Sequence, residues 1–197
     1  MRAWLNALRR RMWRLLIHRM VFGERSADGL ALPFTRISPS TCVEHEDKLM
    51  LADHVFIGHF NFIEASASVR IDEGVQVTNF VSIVTHSSHA SLRVMGRSYA
   101  NGRHERVGLI SGPIHIGAYS FIGPHSLIEA GSTLGKGCVV AAYSAVRGDF
   151  PDFSLIRGIP AERVGDTREA DLVLLDAHPE LKEQYLAWAG SMPREGA

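Results

Sequence analysis

Residues 85–108 of this chain of 197 residues contain several histidines, which can accept and donate protons near neutral pH. Three of the ten histidines lie there, and His86 and His89 are three positions apart at its start. Histidine changes protonation near neutral pH, so it can remove a proton from a hydroxyl group that acts as a nucleophile. His86 is therefore a candidate general base, and the alternative is a solvated loop histidine without a role.

An aliphatic residue recurs at every sixth position on both sides of this segment. The two series are Leu51, Ile57, Ile63, Val69, Val75 and Val81, and then Ile110, Ile116, Ile122, Ile128, Leu134, Val140 and Val146. A period of six fits neither an α-helix nor a free strand, and it is typical of a parallel β-helix. The series predict about four stacked coils with these side chains inside. Residues 85–108 are predicted to form an extruded loop.

The two ends of the chain do not follow this repeat. Residues 3–20 predict an amphipathic helix, with an apolar stripe of Trp4, Leu5, Leu8, Met12, Leu15 and Leu16. We favour packing of the stripe on the β-helix or on a neighbouring subunit, because Arg19 falls within it. Arg10 and Arg14 oppose the stripe, so contact with an anionic membrane surface stays open. The predicted organisation is a helix in 1–25, the β-helix in 26–165 and a helical tail in 166–197.

Composition excludes several classes of protein. The 21 basic and 21 acidic residues balance, which argues against nucleic-acid binding. No apolar run reaches the length of about 18 residues that a membrane-spanning helix needs. The two cysteines, Cys42 and Cys138, form no CxxC pair, so they indicate neither a zinc site nor a disulfide framework. Free thiols agree with a cytoplasmic protein.

Three stretches of the sequence carry a resemblance to a known family. They are VSIVTHSSHASLR at 81–93, IHIGAYSFIGPHSLIEAG at 114–131 and RGIPAERV at 157–164. They resemble the hexapeptide-repeat acyltransferases, above all the galactoside, maltose, nodulation-factor and polysaccharide O-acetyltransferases, over roughly residues 50–165. The resemblance implies an all-β core, a left-handed parallel β-helix. It also implies a homotrimer that moves an acetyl group from acetyl-CoA to a hydroxyl of a sugar or polysaccharide precursor, with no metal.

The resemblance also assigns roles to individual residues. His86, His89 and Arg93 match the family pattern H-x-x-H-x-x-L-R, which makes His86 the catalytic base. The acceptor is then expected to contact four residues, His89, Asn61, Glu64 and Arg93. Acetyl-CoA is expected to contact Gly123, Ala142, Arg147 and Arg163. Backbone N–H groups suit the pantetheine amides, and arginine suits the phosphates.

Three other functions stay open at this point. An amine of an amino sugar could replace the hydroxyl as acceptor. The γ-class carbonic anhydrases are also trimeric β-helices, and histidines 86, 89, 115 and 125 could supply the three ligands of a catalytic zinc. The same fold could also serve as a binding module without catalysis. The extruded loop and the RGIPAERV turn favour acyl transfer.

Overall fold

Short parallel strands stack into a three-walled prism in the computed structural model, which describes residues 2–101 and 106–192. The first twelve strands are β1 (Glu24–Arg25), β2 (Ala31–Leu32), β3 (Arg36–Ile37), β4 (Cys42–Glu44), β5 (Leu49–Leu51), β6 (Phe56–Ile57), β7 (Phe62–Glu64), β8 (Val69–Ile71), β9 (Gln76–Val77), β10 (Ser82–Val84), β11 (His86–Ser87) and β12 (Ile110–Ser111). The others are β13 (Ile114–Ile116), β14 (Phe121–Ile122), β15 (Leu127–Ile128), β16 (Thr133–Leu134), β17 (Val139–Val140), β18 (Ala145–Val146), β19 (Asp149–Phe150), β20 (Ser154–Gly158) and β21 (Ala161–Asp166).

Each wall of the prism is one parallel sheet. Wall one contains β3, β6, β9, β14, β17 and β20, and β21 adds an antiparallel strand at its end. Wall two contains β4, β7, β10, β15 and β18, and wall three contains β5, β8, β13, β16 and β19. Walls two and three each hold five strands, so the prism has five coils where the hexad series predicted about four. The additional coil begins at β3, before the first aliphatic residue of the series.

The predicted aliphatic residues form the interior of the prism, with one exception. Twelve of the thirteen are buried in a single core cluster. Ile110 is only half-buried, because β12 pairs with β11 in an antiparallel ribbon at the root of the loop. The assignment of Ile110 to the prism wall was therefore wrong, and the second series begins at Ile116.

Coil length differs on the two sides of the loop. Ile57 pairs with Val77, twenty positions on, whereas Ile122 pairs with Val140, eighteen positions on. The two additional residues lie at the corner between walls two and three, which is also where the loop leaves the prism. A strict period of six therefore places the aliphatic residues that follow this corner two positions too early. The residues that pair with Ile116, Ile122 and Ile128 of the second series are Ile71, Val77 and Ile83. The predicted Val69, Val75 and Val81 are also buried, but they lie two positions earlier.

An aromatic ladder runs along the corner between walls one and two. Phe60, Phe80, His125 and Tyr143 stack ring on ring in four successive coils, with centroids 5.2, 4.9 and 4.8 Å apart. Each of the four has a positive φ, between 58° and 60°. This conformation is unfavourable for an aromatic residue. The stacking in turn holds the tight corner in register from coil to coil.

Helices lie at the two ends of the chain and in the loop. They are α1 (Arg2–Trp13), α2 (His89–Met95), α3 (Arg168–Ala177) and α4 (Lys182–Ala189), with a π-helical turn at Arg14–His18 and 3-10 turns at Glu46–Lys48, Gly96–Tyr99 and Pro179–Leu181. The two C-terminal helices bury Leu175 and Tyr185 together with Phe153 of the prism. Within the described residues, no helix has the length and hydropathy that crossing a bilayer requires.

Candidate active site

His86 is held at the corner of the prism where the extruded loop begins. It is the first residue of β11, and its imidazole is 38% exposed. The Nδ1 atom lies 2.8 Å from Oε2 of Glu64, which ends β7 in the coil before. The distance between Nδ1 and the Ser66 hydroxyl oxygen is 3.3 Å. The ring is therefore fixed on its Nδ1 side by the preceding coil.

Glu64 is a buried carboxylate with a full set of hydrogen bonds. Its side chain is 4% exposed. The backbone N–H of Ser66 donates to Oε1 over 2.7 Å, and the Thr85 hydroxyl donates to Oε2 over 2.8 Å. Burial raises the pKa of this carboxyl, but the hydrogen bonds from Ser66, Thr85 and His86 lower it more, to about 2. Glu64 is therefore ionised at neutral pH and accepts a hydrogen bond from the Nδ1–H group of His86.

This arrangement corrects the expected role of Glu64. We expected its carboxylate to contact the acceptor, but it points into the protein and its oxygens are occupied by Ser66, Thr85 and His86. An anion on Nδ1 favours the tautomer with the proton on that nitrogen, which leaves Nε2 with a lone pair. Glu64 can thus orient His86 as a base.

A cleft of about 300 Å³ opens beside His86. His89, Glu129 and Arg147 contribute its polar lining, and Leu127 is among its apolar lining residues. The cleft therefore joins residues from the loop with residues of two later coils. It brings the predicted base together with His89, predicted for the acceptor, and Arg147, predicted for acetyl-CoA. Glu129 was not expected from the sequence.

The two other predicted loop residues differ in position. His89 is exposed at the first position of α2, and its Nδ1 lies 2.8 Å from the Ser87 hydroxyl oxygen. Arg93 is exposed on the same helix and donates from Nη1 to the carbonyl oxygen of His89 over 2.9 Å. Arg93 is outside the lining of the cleft, so its contact with the helix backbone replaces the expected contact with an acceptor.

Asn61 has a structural role at the ladder corner. Its side chain is buried, and Nδ2 donates to the carbonyl oxygens of Gly58 and Thr78 over 3.0 and 2.8 Å. Its Oδ1 accepts the backbone N–H of Val81 over 2.7 Å. The predicted contact between Asn61 and the acceptor was wrong, because the bonds with Thr78 and Val81 join neighbouring coils and the buried amide has no polar atom directed to solvent.

Of the four residues predicted for acetyl-CoA, Gly123 and Ala142 lie against each other in neighbouring coils, whereas Arg147 lines the cleft beside His86 and Arg163 lies on β21. The N–H of Gly123 donates to the carbonyl of Val140 over 2.8 Å, so it is not free for a pantetheine amide. A Cβ at Gly123 would lie 2.6 Å from the nitrogen of Ala142, which makes glycine necessary for close stacking there. Ala142 is exposed at this corner, while Arg163 is exposed on β21 and forms an ion pair with Asp166 over 3.0 Å.

The four histidines considered as zinc ligands are dispersed. His86 and His89 line the cleft, whereas His115 lies on wall three, with its Nε2 2.7 Å from Oδ2 of Asp72. His125 is stacked in the aromatic ladder. In residues 2–101 and 106–192, no three histidine, cysteine or acidic side chains form a possible metal site.

Sequence reasoning missed the supporting role of Ser66 and Thr85, which hold the carboxylate of Glu64. A signal was present in the spacing. Glu44 and Glu64 are twenty positions apart and pair in β4 and β7, so twenty residues is the coil length in this half of the chain. With that length, Glu64 lies in the coil next to Thr85 and His86.

No protein-family model matches the chain, but known proteins with similar sequences are named as acetyltransferases. A probable acetyltransferase of Mycobacterium tuberculosis is 28% identical over 64% of this chain, which spans only 39% of that protein's length. The putative lipopolysaccharide biosynthesis O-acetyl transferase WbbJ of Escherichia coli is 26% identical over 72% of this chain and 68% of its own.

A solved structure agrees with these relatives. A hexapeptide-repeat acetyltransferase of Vibrio cholerae, complexed with acetyl-CoA, superposes with a TM-score of 0.57 at 26% identity and covers 68% of each chain. The expected left-handed β-helix of hexapeptide repeats is confirmed. By its repeat, its fold and its sequence, the chain is similar to the hexapeptide-repeat acetyltransferases.

Proposed function

We propose that this chain transfers an acetyl group from acetyl-CoA to a hydroxyl group of a sugar or polysaccharide precursor, with His86 as the general base. The observation that carries the proposal is the contact between Nδ1 of His86 and the buried, ionised Glu64 at the edge of a cleft. The similarity to WbbJ, named for lipopolysaccharide biosynthesis, supports a carbohydrate acceptor. The acetyl-CoA complex of the Vibrio cholerae protein supports the donor.

The proposed reaction takes place in one ternary complex. Nε2 of His86 removes the proton of the acceptor hydroxyl while the hydroxyl oxygen attacks the thioester carbonyl of acetyl-CoA. The carbon–sulfur bond then breaks, and the imidazolium returns the proton to the CoA sulfur, so the products are an acetyl ester and CoA–SH. Glu64 stabilises the imidazolium that forms between the two steps. A general base of this kind contributes about 10²–10⁴ in rate.

Neither cysteine is needed as a nucleophile in this scheme. Cys138 is completely buried in the prism, and burial raises the pKa of its thiol, which disfavours the reactive thiolate. Cys42 lies on β4, and the cleft lining does not include it. Both cysteines are free, which supports a cytoplasmic location, where acetyl-CoA would also be available.

The binding of the two substrates is proposed from the cleft. His89 contacts the acceptor, and Arg147 binds an anionic part of acetyl-CoA, because a guanidinium in a cleft is suited to phosphate oxygens. Ala142 and Arg163 remain proposed contacts of acetyl-CoA on the same prism. A homotrimer is also part of the proposal, since sites between prisms would complete a cleft that is open in the single chain.

A thiol-release assay tests the proposed activity. Purified protein is incubated with acetyl-CoA and a panel of sugars and amino sugars, and free CoA thiol is measured with the zinc content of the same sample. Release with a hydroxyl acceptor by zinc-free protein supports the proposal. Thiol release with amino sugars alone indicates N-acetylation. If no acceptor in the panel leads to thiol release and chelation abolishes another activity, the result supports the zinc alternative. Light scattering of the same sample gives the number of subunits.

A further inference from the structure

The N-terminal segment, residues 2–23, is strongly basic in a chain whose total charge is balanced. It contains six arginines and no aspartate or glutamate: Arg2, Arg9, Arg10, Arg11, Arg14 and Arg19. The full chain has equal numbers of basic and acidic residues, so the remainder is acidic. A charge difference of this size between one helix and its own protein indicates an anionic partner for the helix.

The apolar stripe of this segment is not covered by the chain. No residue of α1 or of the π-helical turn after it is buried. The exposed fractions are 65% for Trp4, 45% for Leu5, 39% for Leu8, 53% for Met12, 59% for Leu15 and 71% for Leu16. The stripe was expected to pack on the β-helix or on a neighbouring subunit; packing on its own β-helix was therefore wrong, and packing on a neighbouring subunit stays a prediction. Contiguous apolar surface of this kind marks a site of interaction.

The side of the helix that faces the prism is the basic side. A cleft of about 600 Å³ separates the two, and its lining opposite His59 consists of Asn6, Arg9, Arg10, Trp13, Arg14 and His18. At the end of the helix, the His18 ring lies 5.2 Å from that of His59. Residues at the stripe centre, such as Leu8, do not line this cleft. The stripe is thus directed away from the prism.

The helix ends before Arg19, which the sequence had placed within the apolar stripe. A continuous α-helix through residue 20 would bring Arg19 into the apolar stripe. The helical segment ends at His18, and Arg19 is extended, with φ −80° and ψ 114°. The stripe is therefore free of charge along its length, and two arginines flank it, Arg9 on one side and Arg11 on the other, by the 100° step of an α-helix.

We propose that the apolar stripe of α1 binds the surface of an anionic lipid bilayer. The acyl region accepts the leucines and Trp4, while Arg11, which flanks the stripe and does not line the cleft toward the prism, reaches the lipid phosphates. A second copy of the chain is the other occupant that could cover the apolar side chains, and the mass of the protein in solution distinguishes it from a bilayer. The proposal does not depend on the proposed enzymatic activity.

Vesicle flotation of the full chain tests this binding. We expect the protein to float with vesicles of phosphatidylglycerol and phosphatidylcholine, and not with phosphatidylcholine alone. The bound fraction falls as salt is raised, because ions screen the arginines. Replacement of Arg11 by Gln weakens binding to the anionic vesicles by about fivefold, the usual value for one arginine at such a surface.

Two further variants separate the lipid surface from a second copy. The double variant Leu8→Glu and Leu16→Glu is expected to lose vesicle binding and to keep its mass by light scattering. Val173→Glu, at a 69% exposed position of α3, is the matched control and keeps both. Circular dichroism verifies that each variant is folded. Equal flotation with both kinds of vesicle, no flotation at all, or a change of mass in the double variant would overturn the proposal.

Discussion

His86 and His115 each contact a carboxylate at nearly the same distance, but their surroundings differ. The partner of His86, Glu64, has a side chain that is 4% exposed, whereas the partner of His115, Asp72, is 24% exposed. Thr85 and Ser66 also hold Glu64, while Asp72 is shared with Arg70, which lies on the surface. The contact alone therefore does not define a candidate base.

The ring nitrogens of the two histidines complete the comparison. Glu64 contacts Nδ1 of His86 and leaves Nε2 for a substrate, and His86 lines the cleft with His89 and Arg147. Asp72 contacts Nε2 of His115, and His115 is not in that cleft. The pair of His86 and Glu64 differs in two respects: the carboxylate is buried with its oxygens hydrogen-bonded, and the other side of the imidazole faces a cleft. A general base requires both.

The largest expected effect is the loss of the base. His86→Ala lowers kcat on a hydroxyl acceptor by about 10²–10⁴ and changes the affinity for acetyl-CoA little, because the lost interaction belongs to the transition state. His115→Ala, the matched control, changes kcat by less than about twofold. Steady-state kinetics with both substrates varied checks this. Near-normal kcat in His86→Ala together with an inactive His89→Ala would assign the base to His89.

Acid denaturation compares the two carboxylates directly. The pKa of Glu64 is lowered from 4.5 to about 2 in the folded protein, so its ionised form stabilises the fold above pH 4.5 and this contribution is lost as the pH falls toward 2. The shift corresponds to about 3 kcal/mol. Urea unfolding at pH 7 and pH 3 measures about 2 kcal/mol of this contribution, because pH 3 lies between the two pKa values. Glu64→Gln is expected to show a smaller loss of stability between these pH values than the wild type.

Asp72 provides the control for this measurement. Burial raises its pKa, but the hydrogen bonds from Arg70 and His115 lower it more, so Asp72 also contributes stability that is lost in acid. Since Asp72 is more exposed, solvent screens its interactions, and Asp72→Asn is expected to change the pH dependence less than Glu64→Gln. An equal change in the two variants would contradict the distinction between the pairs.

Orientation of the base is expected to have a smaller effect on turnover than the base itself. Glu64→Gln keeps the size of the side chain but removes its charge, and kcat falls by up to about 100-fold because His86 is less well oriented and its imidazolium less stabilised. The KM for acetyl-CoA stays near the wild-type value, which distinguishes a positioning role from general unfolding. Asp72→Asn has normal kinetics. A normal kcat in Glu64→Gln would leave Glu64 with a structural role only.

The smallest expected effect concerns the far side of the cleft. His89→Ala raises the KM for the acceptor by roughly threefold to tenfold, the value of one hydrogen bond, and changes kcat little. Arg93→Ala serves as the control, because Arg93 contacts the helix backbone and not the cleft. A larger increase of the acceptor KM in Arg93→Ala than in His89→Ala would show that the loop is arranged differently when the acceptor binds.

The fold could be predicted from the sequence because an aliphatic residue must enter the core from each wall. The period of six was correct beyond the loop, where coils have eighteen residues. It was two positions off for residues 69–81, because corners lie outside the core and accept additional residues without a change in the interior pattern. Ile110 was misplaced for a related reason, since a strand at the root of a loop can be apolar without entering the prism.

Less of the candidate site than of the fold could be predicted from the sequence. His86 could be proposed as the base, because a motif of neighbouring residues marks it, and this assignment stays a prediction. Glu64 and Asn61 were identified as polar residues near the site, but their direction depends on coil length and on hydrogen bonds between coils. Glu64 proved to support His86 and Asn61 to support the corner. The bonds between Glu64 and His86 and between Asn61 and Thr78 join residues 22 and 17 positions apart, which a motif of neighbouring residues does not show.

The corner from which the loop leaves has a consequence for the variation of proteins of this kind. In the coil of Glu64 the same corner contains two additional residues, and in the next coil it contains the whole loop, yet Ile83 and Ile116 still align with their neighbours on both sides. Loop length is thus decoupled from the stacking of coils. The loop, which we propose contacts the acceptor, can therefore be exchanged as a unit in evolution or by design, while His86 at its start stays anchored to the prism through Glu64.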